Sequence, residues 1–189
     1  MGYPDPKKAI IDRLAAPPGH LISQSPPSPG GLQSSIRGPG GEDADPDTMQ
    51  FVKERGGPGR QLHYVRFSTR AGDRRRFVVG VVQQQNGQWE VRGCAGGGDG
   101  DPPRDQPWIN FGAWGWPRFF CGGGTVIGTN SERAARARLL FANGTTLEDA
   151  VDAGIVLFMT EAPVRLPATV EILDGSGSVL TTYEAFGRG

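Results

Sequence analysis

The residues of this chain that could do chemistry are few, and the densest set of them is aromatic. Residues 108–120 carry Trp108, Phe111, Trp114, Trp116, Phe119 and Phe120, with Asn110 and Arg118 among them and Gly112, Ala113 and Gly115 as small spacers. Aromatic faces separated by small residues can stack on sugar rings, nucleobases or proline side chains, and an amide and a guanidinium can orient such a ligand. The same rings can instead fill a core, where aromatics dominate the packing energy. On a strand, Trp114 and Trp116 lie two apart and share a face, while Phe111 and Trp114 take opposite faces. A single strand cannot send all of these rings into one core, so some exposure, or a bent loop, is expected. Trp108, Asn110, Phe111, Trp114, Trp116 and Arg118 are therefore the candidate ligand- or partner-binding residues.

The other constellations read more simply as structure. Arg66, Arg70, Arg74, Arg75 and Arg76 could grip phosphates or carboxylates, but such a run is more often the solvated face of a hairpin or a guard on an edge strand. Asp99, Asp101 and Asp105 on a glycine-rich stretch offer hard oxygen ligands, yet their spacing does not match a calcium loop. The glycine triplets at 96–98 and 122–124 lead into no Gly-Lys-Ser/Thr, so neither is a phosphate-binding loop. For catalysis His63 would have to work with Cys94, Cys121 or a serine, and no nucleophile motif accompanies it. Glu148, Asp149 and Asp152 follow a hairpin turn and read as solvated; a glycosidase-type carboxylate pair would depend on their separation in space. No cofactor motif is present, and two Cys with two distant His do not make a metal site. Asn143-Gly144-Thr145 fits a glycosylation acceptor and, equally, a hairpin turn. Cys94 and Cys121 are either unrelated thiols or one disulfide joining two loops.

Charge excludes one class of partner. The chain has 20 basic and 20 acidic residues, and the balance holds on both sides of residue 60, with seven of each sign before it and thirteen of each after it. A polyanion-binding protein usually carries a net positive field, so nucleic acid is not expected. No run approaches the ~18 apolar residues needed to cross a bilayer. Near the N-terminus only Ile10 and Ile11 stand together between charges, too short for the apolar core of a signal peptide. A disulfide between Cys94 and Cys121 would point to an extracytoplasmic setting.

The elements that must position these residues are read from Gly, Pro and periodicity. Residues 1–60 hold ten Pro and ten Gly, too polar and broken a composition to form a core alone. They read as an extended arm with one short helix at residues 6–16, capped by Asp5, opened by Pro6 and ended by Pro17-Pro18. Its stripe of Ile10, Ile11 and Leu14 is too weak to stand in water and is expected to dock on its own β domain, a neighbouring subunit or a partner. From residue 61 the period becomes two. Runs at 63–68, 76–82 and 89–92 are joined by Ala71-Gly72-Asp73 and Asn86-Gly87; a second set follows around Asn143-Gly144 and Gly175-Ser176-Gly177. About seven to nine short strands predict an all-β, antiparallel β-sandwich over residues 61–189, immunoglobulin-like or jelly-roll-like. The hairpin pattern of residues 61–186 resembles the immunoglobulin-like domains of bacterial surface and secreted proteins, and fold alone assigns no activity.

The function expected from this reading is a non-enzymatic structural or interaction module. The arm would dock on a neighbouring subunit or partner while the β domain presents its aromatic surface. A carbohydrate-binding sandwich using Trp108, Trp114 and Trp116 is the alternative, and a hydrolase with a carboxylate site is the third. The expected partner is a protein or a second copy.

Overall fold

The computed structural model describes residues 2–17, 41–98, 100 and 104–187, and among them the chain is mostly β, with one α-helix and three antiparallel sheets. The described residues fall into two compact units, one up to residue 98 and the other from residue 100 onward.

The first unit is a helix laid on a four-stranded meander. Helix α1 (Pro6–Ala15) starts where the sequence provides a start: Asp5 accepts the Lys7 N–H at 3.0 Å, and Pro6, which has no N–H to satisfy, sits in the first turn. Strands β1 (Gln50–Gly57), β2 (Arg60–Ser68), β3 (Arg74–Gln83) and β4 (Trp89–Gly98) pair in chain order. Asn86-Gly87 turns β3 into β4, with Gly87 at φ 79°, where a Cβ is disfavoured. Ala9, Ile10 and Leu14 are buried against Val65, Phe67, Phe77, Val79, Val81 and Trp89 of the sheet. Full burial of side chains such as Ile10 and Leu14 is worth roughly 1.5–3 kcal/mol each, which supplies what so short a helix lacks in water.

The end of α1 is closed by chain that the composition assigned to a linker. The N–H groups of Glu42 and Ala44 both donate to the Leu14 carbonyl, at 2.9 and 3.0 Å, and Asp43 N–H donates to Ala16 O at 3.0 Å. These bonds satisfy carbonyls that a helix end leaves open. Gly41 has to be glycine, because a Cβ there would lie 2.0 Å from the Ala16 oxygen. A 3-10 turn at Pro46–Thr48 then leads into β1.

Among the described residues the second unit has seven strands in two sheets. Strands β5 (Trp108–Trp114), β6 (Phe120–Ile127) and β9 (Ile155–Thr160) form a three-stranded sheet in the order β5-β6-β9. Strands β7 (Ala134–Phe141), β8 (Thr146–Ala150), β10 (Ala168–Asp174) and β11 (Val179–Ala185) form a four-stranded one in the order β11-β10-β7-β8. Both sheets feed one buried cluster: Ile109, Phe120 and Phe158 from the first, and Leu139, Val170 and Ile172 from the second. Alternation does this, since each strand sends every second side chain inward.

Three expectations change. The arm does not end at residue 60, because β1 lies inside it and pairs along its length with β2. Its Gly and Pro mark a helix cap at Gly41, a 3-10 turn at Pro46 and a hairpin turn at 58–59, rather than a linker. Residues 61–189 do not make one sheet pair, because β2, β3 and β4 belong with β1 and the helix. Ile10 and Leu14 meet the chain's own sheet, and Ile11 is half-buried beside them. Most of the stretch read as linker, residues 18–40, lies outside the described residues.

Candidate functional site

The aromatic segment becomes β5 and the turn after it, and the fold divides its rings among three environments. β5 pairs antiparallel with β6, Ile109 opposite Val126 and Phe111 opposite Gly124. Ile109, Phe111 and Ala113 face the shared core, so Trp108, Asn110, Gly112 and Trp114 take the opposite face. Phe111 packs on Phe158 and Phe186, with ring centroids 6.1 and 5.1 Å apart. Trp116 does not share a face with Trp114, because the strand ends at Trp114 and Gly115 turns the chain at φ 106°. That residue must also be glycine, since a Cβ would stand 2.3 Å from the Phe119 ring. Trp116 therefore packs against the core, 6.5 Å from Phe120 and 5.9 Å from Phe186. Arg118 is exposed in the turn.

Trp108 is taken up differently. Its ring stacks on Tyr183 at 3.7 Å between centroids, and the Arg104 guanidinium lies over the Trp108 ring at 4.6 Å. Tyr183 comes from β11, and its hydroxyl accepts the Ile109 N–H at 2.9 Å. Burial pushes the Tyr183 hydroxyl well above its ordinary pKa, against the opposing pull of the Ile109 N–H and Arg104, so it stays a neutral phenol. Sequence reasoning missed Tyr183, which lies 74 positions from the amide it holds; no local spacing signals that partnership. The three tryptophans thus form no common platform.

What β5 does offer is its edge. The Ile109 N–H reaches Tyr183 on the side away from β6, and Val126, opposite Ile109, donates toward Gly154 and so away from β5. Ile109 is therefore in a non-hydrogen-bonded pair with β6, and by alternation Phe111 and Ala113 are too. Their N–H and C=O groups point to the open side of the sheet. Among the described residues those of Phe111 and Ala113 make no hydrogen bond there.

The other sheet edges are defended. β1 has a bulge between Phe51 and Lys53 and carries Lys53, Glu54 and Arg55. β4 carries Glu90 and Arg92, and its first residue, Trp89, exchanges backbone bonds with Tyr3. β8 carries Glu148 and Asp149, and β11 carries Glu184. β9 is uncharged, but the Asp149 carboxylate accepts its Leu157 N–H at 2.7 Å, and Asp152 and Ile155 exchange backbone bonds beside it. β5, with sequence WINFGAW, has no charge and no proline. Charges, bulges and prolines are what keep edges from pairing.

The remaining candidates are accounted for by structure. His63 is fully buried, edge-on to Phe51 at 5.8 Å, with Nε2 3.0 Å from the Gln61 carboxamide oxygen and Nδ1 3.8 Å from a Glu54 carboxylate oxygen. Burial lowers its pKa; Glu54 opposes that shift and Lys7 adds to it. Cys94 lies on the same face, but Val79 stands between them in the ladder, so sulfur and imidazole are two strand spacings apart, about 10 Å. Cys94 and Cys121 lie one in each unit and are not joined by a disulfide, so of the two readings it is the pair of separate thiols that holds. Each stands inside a strand, in β4 and in β6, rather than on the loops that the glycines around them suggested. Glu148 pairs with Arg138 at 3.0 Å and Arg136 at 3.2 Å, and Arg138 also holds Glu171 at 3.0 Å. The hydrogen bond from Arg138 keeps the Glu148 carboxyl below its usual range. This ladder is a solvated sheet face. Arg70 pairs with Asp43, and Arg75 with Asp73 at 3.6 Å. Asp99 and Asp101 of the glycine-rich stretch lie outside the described residues. Among the described residues no group of three or more His, Cys, Asp or Glu side chains could hold a metal ion, and no helix is long and apolar enough to cross a membrane.

Compared with known proteins, the chain matches no family model, no curated protein and no solved structure.

Proposed function

We propose that this chain is a non-enzymatic interaction module whose binding element is the β5 edge of an immunoglobulin-like sandwich. Strand order supports the sandwich. Taken in chain order, β5, β6 and β9 are the first, second and fifth strands of their unit, facing the third, fourth, sixth and seventh. Immunoglobulin-type sandwiches have seven strands and sheets exchanged by crossing connections, whereas a jelly roll needs eight. The departure from the constant-type arrangement is the fourth strand, β8, which pairs with β7 rather than with β9.

The observation that carries the reading is the outward backbone of Phe111 and Ala113, unbonded among the described residues, on an uncharged strand. An exposed edge of this sort accepts an extended segment by strand addition, in which main-chain bonds give affinity and flanking side chains give selectivity. Trp108, Asn110 and Trp114 flank that edge on the face turned away from the core. A carbohydrate platform has less support, since Trp116 is spent on the core and Trp108 lies between Tyr183 and Arg104.

The test is hydrogen exchange at the Phe111 and Ala113 amides, with and without a peptide of residues 108–114 flanked by lysine pairs. Slowed exchange at those two amides is the expected result. Unchanged exchange at saturating peptide would contradict the reading.

A further inference from the structure

We infer that the partner added at the β5 edge is a second copy of this chain, paired antiparallel about a two-fold axis at Gly112. The inference rests on the reading of β5 as an interaction edge and names its occupant.

The register follows from which backbone groups are still available. Ile109 has its donor engaged by Tyr183, which leaves Phe111 and Ala113 as the residues with both groups turned outward. Two antiparallel copies use all of these groups when Phe111 of one faces Ala113 of the other, in both directions. That makes two hydrogen-bonded pairs, and so four bonds. The alternative register, centred on Phe111, would place two phenylalanines directly opposite each other and would need the Ile109 donor. Pairing about Gly112 sets Phe111 against Ala113, large against small. On the other face it brings Trp114 beside the partner's Asn110, with the two Gly112 residues meeting at the axis, where neither carries a side chain.

Charge supports the same occupant. β5 carries no charge, so two copies meet without repulsion, and an isologous contact needs only this self-complementary patch. Pairing would extend a three-stranded sheet into a continuous six-stranded one, which is nearer the usual width. The remaining edge of that sheet is closed by Asp149, so growth stops at two copies.

The full chain is to be measured by size exclusion with light scattering. It should pass from monomer near 1 µM toward dimer near 1 mM, roughly the range of a weak interface. Ala113→Pro removes an outward donor and no bond to β6, so it should stay monomeric with an unchanged circular dichroism spectrum. Gly112→Asp and Gly112→Lys should each be monomeric alone and should dimerise when mixed. A wild type that stays monomeric throughout overturns the inference, as does a dimer undiminished by Ala113→Pro or by the single charges. If the variants fail to fold, the wild type decides: exchange at Phe111 and Ala113 must slow as concentration rises. A monomeric chain whose edge still binds the lysine-flanked peptide would reject the second copy and leave the interaction reading standing.

Discussion

β9 and β5 are the two edges of one three-stranded sheet, both uncharged, and the fold treats them in opposite ways. β9, reading IVLFMT, is closed by the Asp149 carboxylate on Leu157 N–H and by the Asp152–Ile155 bonds. β5, reading WINFGAW, is held at its first outward group by the Tyr183 hydroxyl, and among the described residues nothing holds the outward backbone of Phe111 and Ala113. An apolar edge is safe when a neighbouring element satisfies its backbone, and sticky when none does. The contrast can be broken from either side.

The largest effect is expected at the closed edge. Asp149→Ala removes a charge-assisted bond and takes that acceptor from the Leu157 N–H, which should lower stability by about 2–3 kcal/mol in urea unfolding followed by tryptophan fluorescence. It also opens a second edge, so light scattering should reveal species larger than a dimer. If Asp149→Ala stays as stable as the wild type and forms nothing larger, β9 is not closed by that carboxylate.

Tyr183→Phe should cost about 1 kcal/mol, because the Ile109 N–H loses its acceptor but can turn to water at the edge. Amide exchange at Ile109 should quicken, with Val126 as the unaffected control. Equal exchange at Ile109 in both proteins would remove the hydroxyl from the account.

A pH series separates the edge from the rest of the molecule. The pKa of His63 is lowered from its ordinary 6.5 by burial. Below 6.5 the unfolded chain takes up a proton that the folded ring refuses, so stability of the first unit is full above that value. It should fall as pH drops from 6.5 through the depressed native pKa, and His63→Phe should flatten the fall. β5 has no titrating group, so dimerisation should not change over the same window. The smallest stability effect belongs to Ala113→Pro, under about 0.5 kcal/mol, since proline is tolerated where an edge N–H faces outward.

Local chemistry was legible in the sequence, and the long-range placements were not. Asp5, Pro6 and the Ile10–Leu14 stripe mark the helix because its capping and period are local. Asn86-Gly87 and Asn143-Gly144 mark hairpins because their glycines, Gly87 at φ 79° and Gly144 at φ 84°, take the positive φ that such turns need, although Asn86 and Asn143 do not. The glycines and prolines of residues 41–59 misled, because a cap, a turn and a hairpin use the same residues as a linker. The aromatic run at 108–120 stands out in the sequence, but its division was hidden. Gly115 breaks the alternation that would have set Trp116 beside Trp114. Tyr183 and Asp149 act on β5 and β9 across sheets, and nothing in residue spacing announces such pairs.

The most direct measurement is residue-resolved hydrogen exchange of the full chain at two concentrations well below and well above the dimer midpoint. The account predicts that the Phe111 and Ala113 amides exchange freely in dilute protein and become protected together in concentrated protein, while Leu157 is protected at both. Protection of Phe111 and Ala113 that is already complete in dilute protein, or absent in concentrated protein, would contradict an edge left open for a second copy.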